Sequence, residues 1–449
     1  MRDYRTVADT VAEEIRSGAL RPGDRLPTQR AFARRHGIAD STATRVYQEL
    51  ARRGLTVGEV GRGTFVRATP ADPAGSAPAL TEPADGGRID LELNYPVAPE
   101  QSALLAGSLA GLLRPDALGQ ALRPIGVSGF RAARESAAET LARGGWRPDP
   151  DRILFAGNGR QAISAAVAAL VPPGARLGVE ELTYPVVKAV AARLRITLVA
   201  LSMDDEGLVP EAVEEAHARA PLHAVYVQPR LHNPLSLSMP ARRVERLAEV
   251  LLGLGIPAIE DTIWAFLRDE LPPLAAYAPE RTVLIDSLSK RVAPGLTLGF
   301  TVAPTALTGA VTAALRSGGC TPARFALEAA HHWQQDGTVR ALVAAKQREA
   351  AVRQGIAARR LAGFAVHGDP RSFHCWWRLP RPWRADTFVA AASRHGIGVV
   401  PAAAFTVDPD HSPNAIRLGL ATPEPETLSR ALNTLAELAR SAPEDLADD

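Results

Sequence analysis

Asp286-Ser-Leu-Ser-Lys290-Arg-Val-Ala-Pro-Gly-Leu-Thr-Leu-Gly-Phe300 is the stretch around which the rest of this 449-residue chain arranges itself. At its centre is a lysine in a protein that has almost none: 51 residues are lysine or arginine, and only Lys188, Lys290 and Lys346 are lysine. Arginine stands nearly everywhere that positive charge alone would serve. A guanidinium keeps its proton in a protein whereas an ammonium can lose it, so chemistry that needs a free amine must retain a lysine. Lys188 and Lys346 read as surviving surface lysines. Lys290 reads differently, because Thr282-Val-Leu-Ile-Asp286 leads in as a β-rich run, hydroxyl residues flank it, and Pro294-Gly295 turns the chain into a second apolar run. That context points to a Schiff-base lysine.

Upstream, Asn233 and Asp261 precede Lys290 at separations of 28 and 29 positions. A strand-crossover-strand unit takes roughly thirty residues, so the three recur at one edge of a sheet, the edge where open α/β sheets bind ligands. Candidate strands cover 152–156, 176–179, 197–201, 223–228, 256–259, 282–286 and 297–302. Helix-period stretches lie between most of them, which predicts a largely parallel sheet with helices on both faces. Past about residue 330, a long Ala-rich helix, Cys375-Trp-Trp-Arg-Leu379 and Arg417-Leu-Gly-Leu420 predict a smaller α/β lobe.

Each residue type meets one need of pyridoxal 5'-phosphate (PLP). A carboxylate keeps the pyridine nitrogen protonated, which suits Asp261 in Ile259-Glu-Asp-Thr-Ile-Trp264. An amide donor to the ring oxygen suits Asn233 in His232-Asn-Pro234, and an aromatic ring to stack on the pyridine suits Tyr184 in Glu180-Glu-Leu-Thr-Tyr-Pro185. Gly157-Asn158-Gly159-Arg160-Gln161-Ala162 opens a helix directly after a strand, where backbone donors can hold a phosphate. A lone Asp after a strand is more often a cap; the order and spacing around Lys290 make the set informative.

The N-terminal end is organised differently. Val7, Val11 and Ile15 recur at helical spacing, Thr28 caps a second helix with Phe32 facing inward, and Asp40 or Ser41 caps a third with Val46, Tyr47 and Leu50 as its buried stripe. Leu55-Thr-Val-Gly58 and Gly63-Thr-Phe-Val-Arg67 read as a hairpin around Gly58 to Gly61. Three helices and a basic hairpin form a winged helix-turn-helix. Residues 1–67 hold 13 arginines against 8 acids, and the overall formal charge is only +2, so the charge that could hold an anionic polymer is concentrated at this end.

Ser17-Gly-Ala-Leu-Arg-Pro-Gly-Asp-Arg-Leu-Pro-Thr-Gln-Arg30, Gly37-Ile-Ala-Asp-Ser-Thr-Ala-Thr-Arg45-Val-Tyr-Gln-Glu-Leu50 and Gly61-Arg-Gly-Thr-Phe-Val66 resemble the GntR family of bacterial regulators. The resemblance implies that Arg30, Ser41, Thr42, Thr44 and Arg45, with Arg62 and Gly63 of the wing, meet double-stranded operator DNA. Asp40 departs from the basic or neutral residue usual there, and its carboxylate is expected to serve as an N-cap. From about Ile89 onward the chain resembles the fold-type I aminotransferases, and the whole resembles the MocR subfamily. This implies an α/β fold with an N-terminal winged helix-turn-helix (1–67), a Pro- and Ala-rich flexible linker (68–88), and a PLP-dependent transferase fold-type I domain (89–449) that dimerises and ends in the smaller lobe.

On that resemblance Lys290 carries the internal aldimine, Asp261 pairs with the pyridine nitrogen, Asn233 with the ring oxygen, and Tyr184 stacks. Asn158, Gly159, Arg160, Ser287 and Ser289 surround the phosphate, Trp264 lines the cofactor, and Arg417 holds an effector carboxylate with Asn94 as a second effector contact. Four departures stand out. Thr297 occupies the place of the family's phosphate-binding arginine, leaving Arg291 or Arg160 to supply the charge. Ile263 and Trp264 replace a tyrosine, Asn233-Pro-Leu-Ser236 replaces Asn-Pro-Thr-Gly, and the tyrosine usual before Gly129-Phe-Arg131 is not evident. The expectation is a PLP-dependent regulator that senses a carboxylated amino compound by aldimine exchange, with at most slow half-transamination. Its alternatives are an aminotransferase that also binds DNA and a regulator whose second domain no longer takes PLP.

With 46% hydrophobic and 22% charged residues, no apolar run of membrane-spanning length and no signal-like N-terminus, the sequence predicts a cytoplasmic location without membrane contact. Cys320 and Cys375 have neither metal nor redox spacing and are expected to be buried thiols.

Overall fold

The computed structural model describes residues 4–16, 19–20, 24–53, 55–59, 63–66, 87–408 and 411–441. Nearly all of the linker expected over 68–88, and Arg62 of the wing, lie outside the described residues.

At the N-terminal end, helices α1 (Tyr4–Arg16), α2 (Gln29–His36) and α3 (Asp40–Arg52) bury one apolar cluster of Val7, Val11, Ile15, Phe32, Val46, Tyr47 and Leu50. Thr28 caps α2 as expected: its Oγ1 accepts from the Ala31 amide at 3.3 Å. Gly37, at φ +62°, ends that helix in the left-handed conformation that glycine adopts without strain and turns the chain into α3. The expected cap of α3 is corrected. Ala39 holds the N-cap position with no side-chain bond, and Asp40 is already the first helical residue. A carboxylate there faces the positive end of the helix dipole instead of an unpaired amide.

Strands β1 (Arg25–Leu26), β2 (Thr56–Glu59) and β3 (Gly63–Val66) form an antiparallel sheet in the order β1-β3-β2. Gly63 begins β3 at φ +124°, a conformation that residues with a side chain rarely adopt.

The second unit is built on a seven-stranded sheet: β4 (Ile153–Ala156), β5 (Arg176–Glu180), β6 (Thr197–Leu201), β7 (Ala224–Val227), β8 (Ala258–Asp261), β9 (Thr282–Ser287) and β10 (Gly299–Val302). Their spatial order is β4-β10-β9-β8-β7-β5-β6; β10 runs antiparallel to both neighbours and all other pairs are parallel. Alternate residues of a strand point to opposite faces, and the core divides accordingly. Val283 and Ile285 pack with helices α4 (Gly159–Leu170) and α5 (Pro185–Leu194), whereas Leu284 packs with Phe300, Trp333 and Leu342 on the other side. Both faces are therefore covered, and the strands read as continuous apolar runs. The strand expected over 256–259 begins at Ala258 instead. Gly255 ends the preceding helix at φ +69°, and Pro257 has no N–H for the ladder. The shift makes Asp261 the last residue of its strand.

After β9 the chain makes the single-turn helix α6 (Leu288–Arg291). Farther on comes the long helix α7 (Thr338–Arg360), followed by a four-stranded antiparallel sheet of β11 (Ala365–His367), β12 (His374–Arg378), β13 (Val400–Pro401) and β14 (Ala415–Gly419), ordered β11-β12-β14-β13. Trp377, Trp383, Phe388 and Leu432 form its core. Among the described residues no helix is long and apolar enough to cross a membrane, and both cysteines are buried and free.

Removing the α2 cap with Thr28→Ala is expected to cost that helix about 1 kcal/mol. The cost should appear as faster amide hydrogen exchange across α2 in the full chain, with exchange in β7 to β9 unchanged.

Candidate functional site

Three neighbouring parallel strands, β7, β8 and β9, end at one edge of the sheet, and the three evenly spaced residues follow from them. Asp261 closes β8, Lys290 lies in α6 just beyond β9, and Asn233 lies in the loop after β7. All three line one cavity of about 360 Å³. Asn158, Gly159, Arg160, Tyr184, Trp264, Ser287, Ser289, Thr297, Asn94 and Arg417 line it too.

Asp261 is buried and held at both oxygens. The Tyr226 hydroxyl donates to Oδ2 at 2.6 Å, Gln228 Nε2 donates to the same oxygen at 3.0 Å, and the Ile263 amide donates to Oδ1 at 3.0 Å. Burial raises its pKa to about 6 against these bonds, which favour the carboxylate. Gln228 also accepts from the Asn233 amide at 3.2 Å, so one side chain ties two of the three site residues together. Asn233 Oδ1 is buried with no hydrogen-bond partner among the described residues.

The Lys290 amine donates to the Asn94 carbonyl and lies 4.4 Å from the centre of the Tyr95 ring and 5.3 Å from that of Trp264. Burial, helped by the positive charges of Arg160, Arg417 and Lys346, brings its pKa down to about 7. An amine in that range is a free base for a large part of the time near neutral pH, which is what attack on a carbonyl requires.

Around the start of α4, Asn158 is the N-cap, its side chain accepting from the Gln161 amide at 2.9 Å. The hydroxyls of Ser287 and Ser289 are 3.0 Å apart, and those of Ser289 and Thr297 are 2.5 Å apart. A Cβ at Gly159 would meet Ser287 Oγ at 3.2 Å, so the glycine lets the helix terminus approach the hydroxyl group closely. Arg160, in the first turn, interacts with the Tyr184 phenol, which holds its pKa above the ordinary value. Opposite them, Arg417 projects from β14 with its guanidinium 5.5 Å from the centre of the Phe405 ring, donates to the Glu92 carbonyl, and keeps a buried Nε without a partner among the described residues. Burial lowers its pKa to about 10, so it remains a cation. Asn94 Nδ2 is likewise buried without a partner among the described residues.

Arg291 is corrected as a cavity residue. It is buried on the far side of α6, where its Nη2 meets Asp286 Oδ2 at 2.7 Å, and its guanidinium lies 5.2 Å from the Phe266 ring centre. Arg143 approaches the same carboxylate at 3.7 Å. Successive helical residues point about 100° apart, so a lysine facing the cavity sends the next side chain elsewhere.

Lys188 and Lys346 are corrected as surface residues. Lys188 is half-buried and donates to the Ala404 and Thr406 carbonyls at 3.1 and 2.7 Å; Lys346 is fully buried. Tyr226, Gln228, Tyr95 and Phe405 went unmarked in the sequence. For Gln228 a signal existed, a polar residue closing an apolar run at the ligand-binding edge.

In the N-terminal unit, Arg30, Ser41 and Arg45 are exposed and Thr42 is half-buried. The Thr44 hydroxyl lies 2.9 Å from Gln29 Oε1 and 3.0 Å from the Asp40 carbonyl, and so joins α2 to α3.

Comparison with known proteins agrees with both halves. The class I and II aminotransferase family matches residues 119–435, and the gntR family of bacterial regulatory proteins matches residues 3–66. The uncharacterized HTH-type transcriptional regulator YdeF of Bacillus subtilis is 27% identical over 437 residues, 97% of this chain and 94% of the relative. The HTH-type transcriptional regulator TauR of Rhodobacter capsulatus is 30% identical over 336 residues, 68% of each chain. Among solved structures, an archaeal alanine:glyoxylate aminotransferase superposes with a TM-score of 0.72 at 21% identity, covering 79% of this chain and 91% of its own. LysN, an alpha-aminoadipate aminotransferase of Thermus thermophilus complexed with N-(5'-phosphopyridoxyl)-L-leucine, gives 0.70 at 23%, covering 79% and 92%.

Asp286→Ala would leave the buried Arg291 without its carboxylate partner and Arg143 with Glu260 alone. The expected loss is about 3–5 kcal/mol, measured as a lower denaturant midpoint of the second unit.

Proposed function

We propose a sensing role for this chain, which belongs to the class I and II aminotransferase family, has the architecture of the MocR subfamily, and is through its GntR-type domain a DNA-binding transcriptional regulator. In this reading the second unit holds PLP and responds to a small amine that carries a carboxylate. The observation that carries it is the buried Lys290 amine, titrating near neutrality at the same sheet edge as Asp261.

The donor set fits the cofactor. Asp261 would hold a proton on the pyridine nitrogen, Asn233 would meet the ring oxygen, and Tyr184 would cover one face of the ring. The start of α4 and the Ser287, Ser289 and Thr297 hydroxyls would take the phosphate, with Arg160 as the nearby cation in place of the missing loop arginine. When bound, PLP supplies an aldehyde carbon that one amine can occupy and another can replace. Lys290 is the resident amine and, once displaced, can accept or return a proton at its Nζ. Arg417 offers its unpartnered Nε to the effector's carboxylate, and Asn94 offers Nδ2 beside it.

Replacing Lys290 by the effector is expected to change the relative placement of the DNA-binding units, since a ligand acts by binding one arrangement better than another. A homodimer through the second unit suits the exposed side chains of Val97, Leu104, Leu113 and Leu122, four large apolar residues left uncovered within one short segment. A cytoplasmic location follows from the regulatory role.

Purified protein incubated with PLP should gain an absorption band at the edge of the visible range, and Lys290→Ala should lack it. Wild-type protein without the band rejects the cofactor reading, while rapid multiple turnovers with an amino acid and an oxo acid would make the chain an enzyme instead. Separately, Arg45→Ala should weaken binding to a duplex selected by the wild-type chain from a random library. If Arg45 meets a phosphate, the slope of log affinity against log salt falls by about 1.

A further inference from the structure

Lys346, like Lys188, has no role in the sensing reading. The Lys346 side chain is wholly enclosed, and its Nζ donates to the Lys290 carbonyl at 3.0 Å and to the Val292 carbonyl at 2.6 Å. These carbonyls lie at the C-terminal end of α6, the single turn that carries Lys290. So short a helix leaves its last carbonyls without intrahelical donors, and a cation is the group best suited to that end. The donor comes from α7, a helix both lobes share. Near its start, Val339 and Leu342 pack with Leu284 and Phe300 of the large sheet; near its end, Ile356 and Ala357 pack with Ile416 and Leu418 of the small one.

We propose that Lys346 is a positioning residue for Lys290: from α7 it grips the carbonyl end of α6 and so directs the Lys290 amine into the cavity. Without the grip, α6 would have to turn its carbonyls toward water or leave them unpaired, and either outcome moves the backbone from which Lys290 projects. Charge accompanies position. The groups around the Lys290 amine are Arg160 from α4, Arg417 from β14, Lys346 from α7, His374 from β12, which burial keeps neutral with a pKa near 3, and the Tyr95 phenol. Burial brings Lys346 itself down to about 7. Removing Lys346 would take away a like charge and loosen the enclosure of α6; both changes favour the charged form of Lys290, so its pKa rises.

The inference rests on Lys290 being the reactive amine of the sensing reading, and its test reads that amine without cofactor. Cofactor-free full-length protein is acylated competitively with acetic anhydride from mildly acidic to alkaline pH, and labelling at the three lysines is followed by peptide mass spectrometry. In the wild-type chain Lys290 should titrate near 7, and Lys346 should label far more slowly than Lys290; labelling of Lys346 at the rate of Lys290 overturns the proposal. In folded Lys346→Met the Lys290 midpoint should rise by about half a unit or more, and PLP affinity, read by absorbance titration, should fall about tenfold. An unchanged midpoint in that variant overturns the proposal. Should Lys346→Met not fold, Lys346→Gln, whose shorter uncharged side chain removes the charge and cannot hold both carbonyls as the ammonium does, is read for the same rise in the Lys290 midpoint. A wild-type chain that shows the Lys290 midpoint but no PLP band would refute the cofactor reading and leave the Lys346 result standing.

Discussion

The burial of one amine sets the terms for the rest of the site. Lys290 is enclosed by the rings of Tyr95 and Trp264 and shares its surroundings with Arg160, Arg417 and Lys346, so the charges that act on it most are positive. Desolvation and like charge both disfavour the ammonium, which leaves a nucleophile that needs no separate base. Such an arrangement is costly in isolation. It persists because the enclosing groups are fixed by the fold: three parallel strands ending together, a helix terminus beside them, and a second lobe that contributes Arg417. Asp261 is the counterpart, a carboxylate whose burial is offset by Tyr226, Gln228 and the Ile263 amide.

The positive charges beside Lys290 have separate duties. Arg291, adjacent in sequence, is committed to Asp286 and takes no part in the cavity. Arg160 enters from the first turn of α4, where the helix end already favours anions, and so can offset the loss of an arginine at Thr297. Thr297 is not idle, because its hydroxyl completes a ladder with Ser289 and Ser287. The anionic end of a ligand would thus meet hydroxyls and one guanidinium instead of a guanidinium from the lysine loop.

How much of this could be read from the sequence differs by residue. Asn233, Asp261 and Lys290 were legible because strand periodicity and crossover length put them at one edge whatever the details of packing. The winged helix-turn-helix was legible from helical spacing and from turn residues such as Thr28 and Gly37. The direction of Arg291 was not, since adjacency in sequence says nothing of which way a single helical turn faces. Nor was the burial of Lys346. On α7 the partners that make a buried ammonium tolerable are backbone carbonyls 54 and 56 residues away, and carbonyls carry no sequence signature. Gln228 was hidden by a strand end set one residue too late, the least secure feature of any strand assignment.

The Asn94 carbonyl gives the Lys290 amine a second meaning. Asn94 lies in the first described segment after the linker; Ile89 and Asp90 pair with Ile397 and Gly398, and the Leu91 carbonyl accepts from the Gly419 amide. In the structure this segment is tied to the lysine by the bond to Asn94 and to Arg417 by the bond to the Glu92 carbonyl. On the proposed reading the effector would alter both partners of this segment, since it would displace Lys290 from PLP and place a carboxylate beside Arg417. The strap that leads back toward the DNA-binding unit therefore makes different contacts with and without the effector, and that difference in contact energy is the one thing a ligand needs in order to shift a conformational equilibrium.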